Sequence, residues 1–249
     1  MIKSWSFSRL SEFETCAYRA KLKIIDRIPE PERQLKPGQT EHANDRGTRI
    51  HDACEVYIRG NGDLPAEAAK HFKAEFASLK TRFSDGAVSL EGEWGYDRDW
   101  EPCEYKKAWC KVKCDAVVHL SPKHIVVIDY KTGRKFGNEI KHGEQVQLYA
   151  VAASLRYPEV ETIDVELWYL DQDDMTHLTK PVEVWMRSHK LYDRRGNKMT
   201  TATEFKPTPS AFACQWCPYK DGICEHAYTD KDAAKKLFIR KAQARKGGK

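Results

Sequence analysis

Ile125-Val126-Val127-Ile128-Asp129-Tyr130-Lys131-Thr132-Gly133 is the stretch on which the reading of this 249-residue sequence turns. Four consecutive β-branched residues favour a buried strand, and the glycine closes it. A carboxylate and an ammonium follow at i and i+2, which puts Asp129 and Lys131 on the same face of that strand. Upstream, Lys113-Cys114-Asp115-Ala116-Val117 places another acid in a strand whose Val112, Cys114, Ala116 and Val118 alternate. If the two strands pair as a hairpin, their carboxylates converge. Such a pair suits hard divalent cations such as Mg²⁺ or Mn²⁺. A neighbouring lysine can orient or help deprotonate an attacking water and stabilise charge growing on a phosphorane-like transition state. The plain alternative is a surface Asp–Lys pair ending a strand.

Outward from this stretch the periodicity predicts helices first and then a sheet. Ser8 reads as the N-cap of an amphipathic helix carrying Leu10, Phe13, Ala17 and Leu22. The proline-rich segment 29–38 breaks it. Further helices are expected over about 43–59 and from Pro65 to Arg82, with Ala68, Phe72, Phe76 and Leu79 at helical spacing. Strands follow at Val88 to Tyr96, Ala108 to Leu120 and His124 to Lys131. Gly143 precedes another helix reaching Arg156, and Ile163 to Leu170 and Thr179 to Met186 read as strands. The polar stretch Arg187 to Ser210 reads as loop. This order indicates an α/β or α+β layer fold around one sheet.

Composition narrows the function classes. Hydrophobic residues make up 41% and charged residues 32%, enough apolar mass for a core, which excludes a disordered or collagen-like chain. The longest aliphatic run is residues 125–128, far short of a membrane span, so the expectation is a cytosolic protein with no membrane partner. The formal charge of +5 is uneven, because Lys231 to Lys249 holds eight bases and one acid. The remainder is slightly acidic, so the sequence describes a near-neutral globule with a basic tail over 229–249.

Other residues carry possible chemistry. Gly47-Thr48-Arg49-Ile50-His51 sets a histidine in a helix that the glycine lets approach something closely. Gln145 and Tyr149 stand at i and i+4, facing one direction. Glu93, on the strand before Asp115, is a further candidate metal ligand, though a solvated strand residue is the simpler reading. Of eight cysteines, Cys54, Cys103, Cys110 and Cys114 read as packing residues. Cys214-Gln215-Trp216-Cys217-Pro218-Tyr219-Lys220-Asp221-Gly222-Ile223-Cys224 has metal-ligand spacing for three thiolates, with the fourth ligand to be found elsewhere.

Taken in order, these elements resemble a RecB-type nuclease of the PD-(D/E)XK superfamily, in the branch carrying an iron–sulfur cluster. That branch includes AddB-type nuclease domains and CRISPR-associated RecB-like exonucleases. The resemblance runs from Ser6-Phe7-Ser8-Arg9-Leu10 with Cys16, through Gly-x3-His, the first Asp, Asp-Tyr-Lys-Thr-Gly and Gln-x3-Tyr, to Cys-x2-Cys-x6-Cys. It implies a restriction-endonuclease-like core, a central mixed sheet flanked by helices, as one domain over 1–228. Cluster-binding segments would lie at 5–20 and 210–228. It implies that His51, Asp115 and Asp129 bind catalytic Mn²⁺ or Mg²⁺, that Lys131 is the catalytic lysine, and that Gln145 and Tyr149 line the site and contact DNA. Cys16, Cys214, Cys217 and Cys224 would hold a [4Fe–4S] cluster joining the chain's two ends, with zinc as the alternative metal. The activity implied is a DNA exonuclease acting on single-stranded ends in the cytoplasm of a bacterium, archaeon or phage-infected host. A structure-specific endonuclease with the same residues and a non-catalytic DNA-binding subunit are the rival readings.

Overall fold

The decisive run forms the strand His124–Lys131 (β5), whose Ile125 to Ile128 are all buried. Removing each of these side chains from water contributes about 1.5–3 kcal/mol, and this fixes the strand at the centre of a sheet. The computed structural model describes residues 1–229 apart from 33 and 36. From residue 230 onward, the basic tail expected at 229–249 lies outside the described residues. The chain gathers into two compact units. One comprises residues 3–7 and 35–200. The other comprises residues 1–2 and the described residues of 8–34 and 201–229.

The larger unit holds a mixed sheet. Its strands are Trp5–Ser6 (β1), Val88–Tyr96 (β2), Pro102–Cys103 (β3), Cys110–Ser121 (β4), β5, Thr162–Tyr169 (β6) and Asp174–Pro181 (β7). The order is β3-β2-β4-β5-β6-β7, with β1 beside β4. β5 and β6 pair in parallel, as do β1 and β4, and the remaining pairs are antiparallel. The helices Ala43–Ile58 (α3) and Ala66–Ser84 (α4) cover one face. There Ile50, Cys54, Phe72 and Phe76 meet Val118, Val126, Ile128, Tyr130 and Trp168 in one apolar cluster. Side chains alternate along a strand, so Asp129 and Lys131 point to the face on which the helix Glu139–Arg156 (α5) packs against β4, β5 and β6.

Several expected boundaries move. Gly143 lies inside α5, which begins at Glu139 behind the N-cap Asn138. Val182–Met186 is a short helix (α6), and the last strand starts earlier, at Asp174. The stretch expected as loop contains the helix His189–Thr200 (α7), which buries Tyr192, Gly196 and Met199. Gly196 is required there: a Cβ would sit 2.4 Å from Trp5 Nε1 and 2.9 Å from Trp109 Cζ2.

The first helix runs from Phe7 to Thr15 (α1), so Ser8 lies inside it and is not its cap. Cys16 then adopts extended backbone, and the chain resumes as Ala17–Ala20 (α2) and a π-helical turn, Lys21–Ile25. Residues from both chain ends hold the smaller unit together. Thr208 Oγ1 donates to Thr15 O at 2.7 Å, and the Tyr219 hydroxyl donates to Ile28 O at 2.9 Å. Phe13 and Phe205 meet edge-on at 6.2 Å. The helix Ala211–Gln215 (α8) is capped by Ser210 Oγ, which accepts from Ala213 N. No described helix is long and apolar enough to cross a membrane.

Candidate active site

The site forms where β4 and β5 stop pairing. Their ladder runs from the turn at Ser121 and His124 to Ala116 and Ile128 and ends there. The next bond to β5 comes from a side chain, because Tyr130 N donates to Asp115 Oδ2 at 2.6 Å. Asp115 Oδ1 meets His51 Nδ1 of α3 at 2.8 Å. A proton on Nδ1 makes the imidazole the donor in this pair and leaves Nε2 as its other polar atom. Lys131 Nζ lies 2.5 Å from Asp129 Oδ2 as an ion pair and donates to Gln145 Oε1 of α5 at 2.8 Å. Gln145 Nε2 in turn donates to the Tyr149 hydroxyl at 2.6 Å. His51, Asp115, Asp129, Lys131, Gln145 and Tyr149 all line one cavity of about 500 Å³.

The glycine of Gly-x3-His has a visible purpose. A Cβ at Gly47 would stand 3.3 Å from Thr132 Oγ1, so its absence lets α3 close on the end of β5. The same approach uses Arg46, which the sequence reading missed. Its guanidinium donates to Thr132 O at 3.1 Å and to both oxygens of Asp171 at 2.8 and 2.6 Å. The bidentate fork is the geometry that makes such a pair directional. His142 was also missed; it lines the cavity, and its Nδ1 lies 3.1 Å from the Tyr169 hydroxyl.

Burial sets the electrostatics. Asp129 is 5% exposed, and its burial pushes the carboxyl above its usual value, with the Lys131 charge pulling against that and Asp115 adding to it. For His51, burial disfavours the protonated ring, but the Asp115 charge and hydrogen bond outweigh it and raise the pKa. Burial also holds the Tyr149 hydroxyl well above the usual phenol range, so it stays neutral. His142 moves the other way, pushed down to about 4 by burial and by the charges of Lys131 and Lys141.

The donor set fits a hard divalent cation: two carboxylates and an imidazole in one polar cavity. Asp129 Oδ2 is buried and, despite its ion pair with Lys131, lacks the angles of a hydrogen bond. Among the described residues, no three His, Cys, Asp or Glu side chains stand as a ready-made cation cage. Here His51 and Lys131 engage the two acids instead. Glu93 is not brought to the cavity: it stands exposed on β2, paired with Lys113 of β4.

The other predicted ligand set is in the smaller unit. Cys16, Cys214, Cys217 and Cys224 line one small cavity there. Burial raises the Cys217 and Cys224 thiols, and the neighbouring cysteines add to the rise. The break in the helix at Cys16 places that residue on the lining of the same cavity as the C-terminal three. Among the described residues, no three of these thiols stand as a ready-made metal site either. Of the remaining cysteines, Cys54, Cys110 and Cys114 are fully buried, as packing residues would be.

A family model described as the PD-(D/E)XK nuclease superfamily matches residues 4–225. The chain belongs to the PD-(D/E)XK nuclease superfamily. Its members are usually metal-dependent nucleases, and the mixed sheet flanked by helices agrees with that fold. A solved structure described as "Crystal structure of SSO0001" is similar at 13% identity, with 92% of this chain and 89% of that chain covered and a TM-score of 0.42. No curated protein matches the sequence.

Proposed function

We propose that this protein is a RecB-type, metal-dependent exonuclease that hydrolyses DNA from single-stranded ends. The observation that carries the catalytic part is the convergence of His51, Asp115, Asp129 and Lys131, from α3, β4 and β5, on one polar cavity. In this reading His51, Asp115 and Asp129 hold Mn²⁺ or Mg²⁺, with the imidazole favouring Mn²⁺. A cation held by these residues would supply Lewis-acid charge to the phosphodiester and lower the pKa of a water bound to it. In the hydrolysis, water oxygen forms a new P–O bond as the P–O bond to the leaving sugar oxygen breaks, and the proton the water gives up to solvent is balanced by one the leaving oxygen takes from it. Lys131, held between Asp129 and Gln145, presents its ammonium where negative charge grows on the phosphoryl oxygens. The half-buried Asp115 pins both His51 and the β5 backbone, so the donors are oriented before substrate arrives.

The preference for single-stranded ends rests on the order of motifs shared with RecB-like exonucleases. The four cysteines of the smaller unit are assigned to a [4Fe–4S] cluster on the same ground, with zinc as the alternative. We read the chain as a cytoplasmic protein on the same resemblance. End-labelled linear and circular single-stranded DNA, incubated with the purified protein and Mn²⁺, test the activity. Linear DNA should be degraded and circular DNA spared. Cleavage of the circle would replace the exonuclease with an endonuclease. A brown protein absorbing near 400 nm supports the cubane, whereas stoichiometric zinc in a colourless protein would remove it.

A further inference from the structure

The segment joining β5 to α5 contains two large apolar side chains that the fold does not use. Phe136 is 89% exposed and Ile140 is 81% exposed. Leaving a whole phenyl ring in water forgoes about 2 kcal/mol of burial. The ring is also presented rather than loose. Asn138 N donates to Lys135 O at 2.9 Å, and Gly137 has φ +85°. A left-handed glycine in the third position is what a type II turn requires, and it leaves Phe136 at the turn's second position. Lys135 Nζ donates to both oxygens of Asp174, each at 2.9 Å, and ties the turn to the start of β7. Gly137 N donates to Glu139 Oε2, and Asn138 Nδ2 donates to Arg134 O, bracing the other side.

The surroundings indicate what such a ring would meet. Gly133, Arg134 and Asn138, on either side of Phe136, line the cavity of the candidate active site, as does His142, two residues beyond Ile140. Arg134 and Lys141 add exposed positive charge to the same short segment. Cations to meet phosphates, beside an exposed ring with no partner in the core, form the pattern of single-strand binding surfaces. A duplex offers its base faces to neighbouring bases and only its edges and backbone to protein, so a ring at a turn tip finds a free face only on an unpaired base. A turn already ordered by its own hydrogen bonds also loses little freedom when it binds.

We propose that Phe136 stacks on an unpaired DNA base next to the phosphate held in the cavity, so that this turn is where the protein distinguishes single-stranded from duplex DNA. The inference rests on the nuclease reading above and adds a substrate-selecting contact to it. The test places 2-aminopurine at successive positions from the end of a single-stranded oligonucleotide, with EDTA present so that no cleavage occurs. Wild-type protein should quench one or two adjacent positions. Phe136→Ala should lose that quenching and weaken single-strand binding by on the order of tenfold, with duplex binding unchanged. Phe136→Tyr, which keeps an aromatic face, should restore both. Equal quenching and equal affinity in Phe136→Ala and wild type would overturn the inference while leaving a binding, cleaving nuclease intact. A wild-type protein that neither binds nor cleaves DNA would overturn the underlying reading, and this inference with it.

Discussion

Replacing Gln145 by leucine keeps the side chain's approximate size and removes both ends of its hydrogen bonding. The carbonyl end accepts from Lys131 Nζ at 2.8 Å, and the amide end donates to the Tyr149 hydroxyl at 2.6 Å. Tyr149 is 6% exposed, so water does not replace the donor it loses. A buried polar atom left unpaired costs about 1–3 kcal/mol, and a hydrogen bond from a charged donor contributes about 1.5–3 kcal/mol. Lys131 keeps its ion pair with Asp129, and leucine recovers some apolar contact. The net loss should be about 2–4 kcal/mol, or roughly 5–15 °C in Tm for a chain of this size. Its kinetic signature is more specific. If Gln145 acts by holding Lys131, kcat on single-stranded DNA falls about 10–100-fold, worth about 1.4–2.8 kcal/mol, while the Kd for DNA stays within twofold. Tyr149→Phe should show a weaker version of the same split. The assay is single-turnover cleavage beside anisotropy binding in EDTA. A Gln145→Leu variant with wild-type kcat and a raised Kd would refute the reasoning and make Gln145 a DNA contact instead.

Three further outcomes follow from particular contacts. Gly196→Ala forces a Cβ to 2.4 Å from Trp5 Nε1, so overpacking should cost about 1–3 kcal/mol or more in urea unfolding, and an unchanged midpoint would show that Trp5 yields easily. Arg46→Met removes the fork on Asp171 and the bond to Thr132 O; cleavage should fall about tenfold, on the order of the 1.5–3 kcal/mol assigned to hydrogen bonds of charged groups, with little change in overall helicity by circular dichroism. For His142 the folded pKa of about 4 lies below its ordinary 6.5. As pH falls from 6.5 toward 4, the unfolded chain takes up a proton that the folded chain refuses, so stability declines across that window. His142→Gln should flatten that part of the decline in urea midpoints measured at pH 7, 6 and 5, and an unchanged slope would contradict the assignment.

Much of the core architecture was legible because it depends on local pattern. Residues 125–128 are apolar on both faces because both faces are covered, and the alternation in β4 matches one buried face per period. The site's membership was legible for a related reason: Asp129 and Lys131 share a strand face, and Gly47 reports a close approach that only tertiary structure makes explicit. What escaped depends on distant partners. α7 is polar along most of its length and is held by a few buried residues, above all Gly196 against Trp5. The break at Cys16 leaves no mark in a sequence whose apolar period continues to Leu22. Val182–Met186 could satisfy either period, and Pro181 at its N-cap decides for helix. Arg46 gave no signal of its own because its partners Thr132 and Asp171 are remote in sequence.

The central claim is that His51, Asp115 and Asp129 hold the cation at which Lys131 assists phosphodiester hydrolysis. It is tested most directly by Mn²⁺-dependent cleavage of end-labelled single-stranded DNA by wild-type and Lys131→Ala protein, with Mn²⁺ binding followed by electron paramagnetic resonance. Wild-type cleavage should be rapid and abolished by EDTA, and Lys131→Ala should bind Mn²⁺ but cleave at least about a hundredfold more slowly. Lys131→Ala cleaving at the wild-type rate, or wild-type cleavage that persists in EDTA, would contradict the claim.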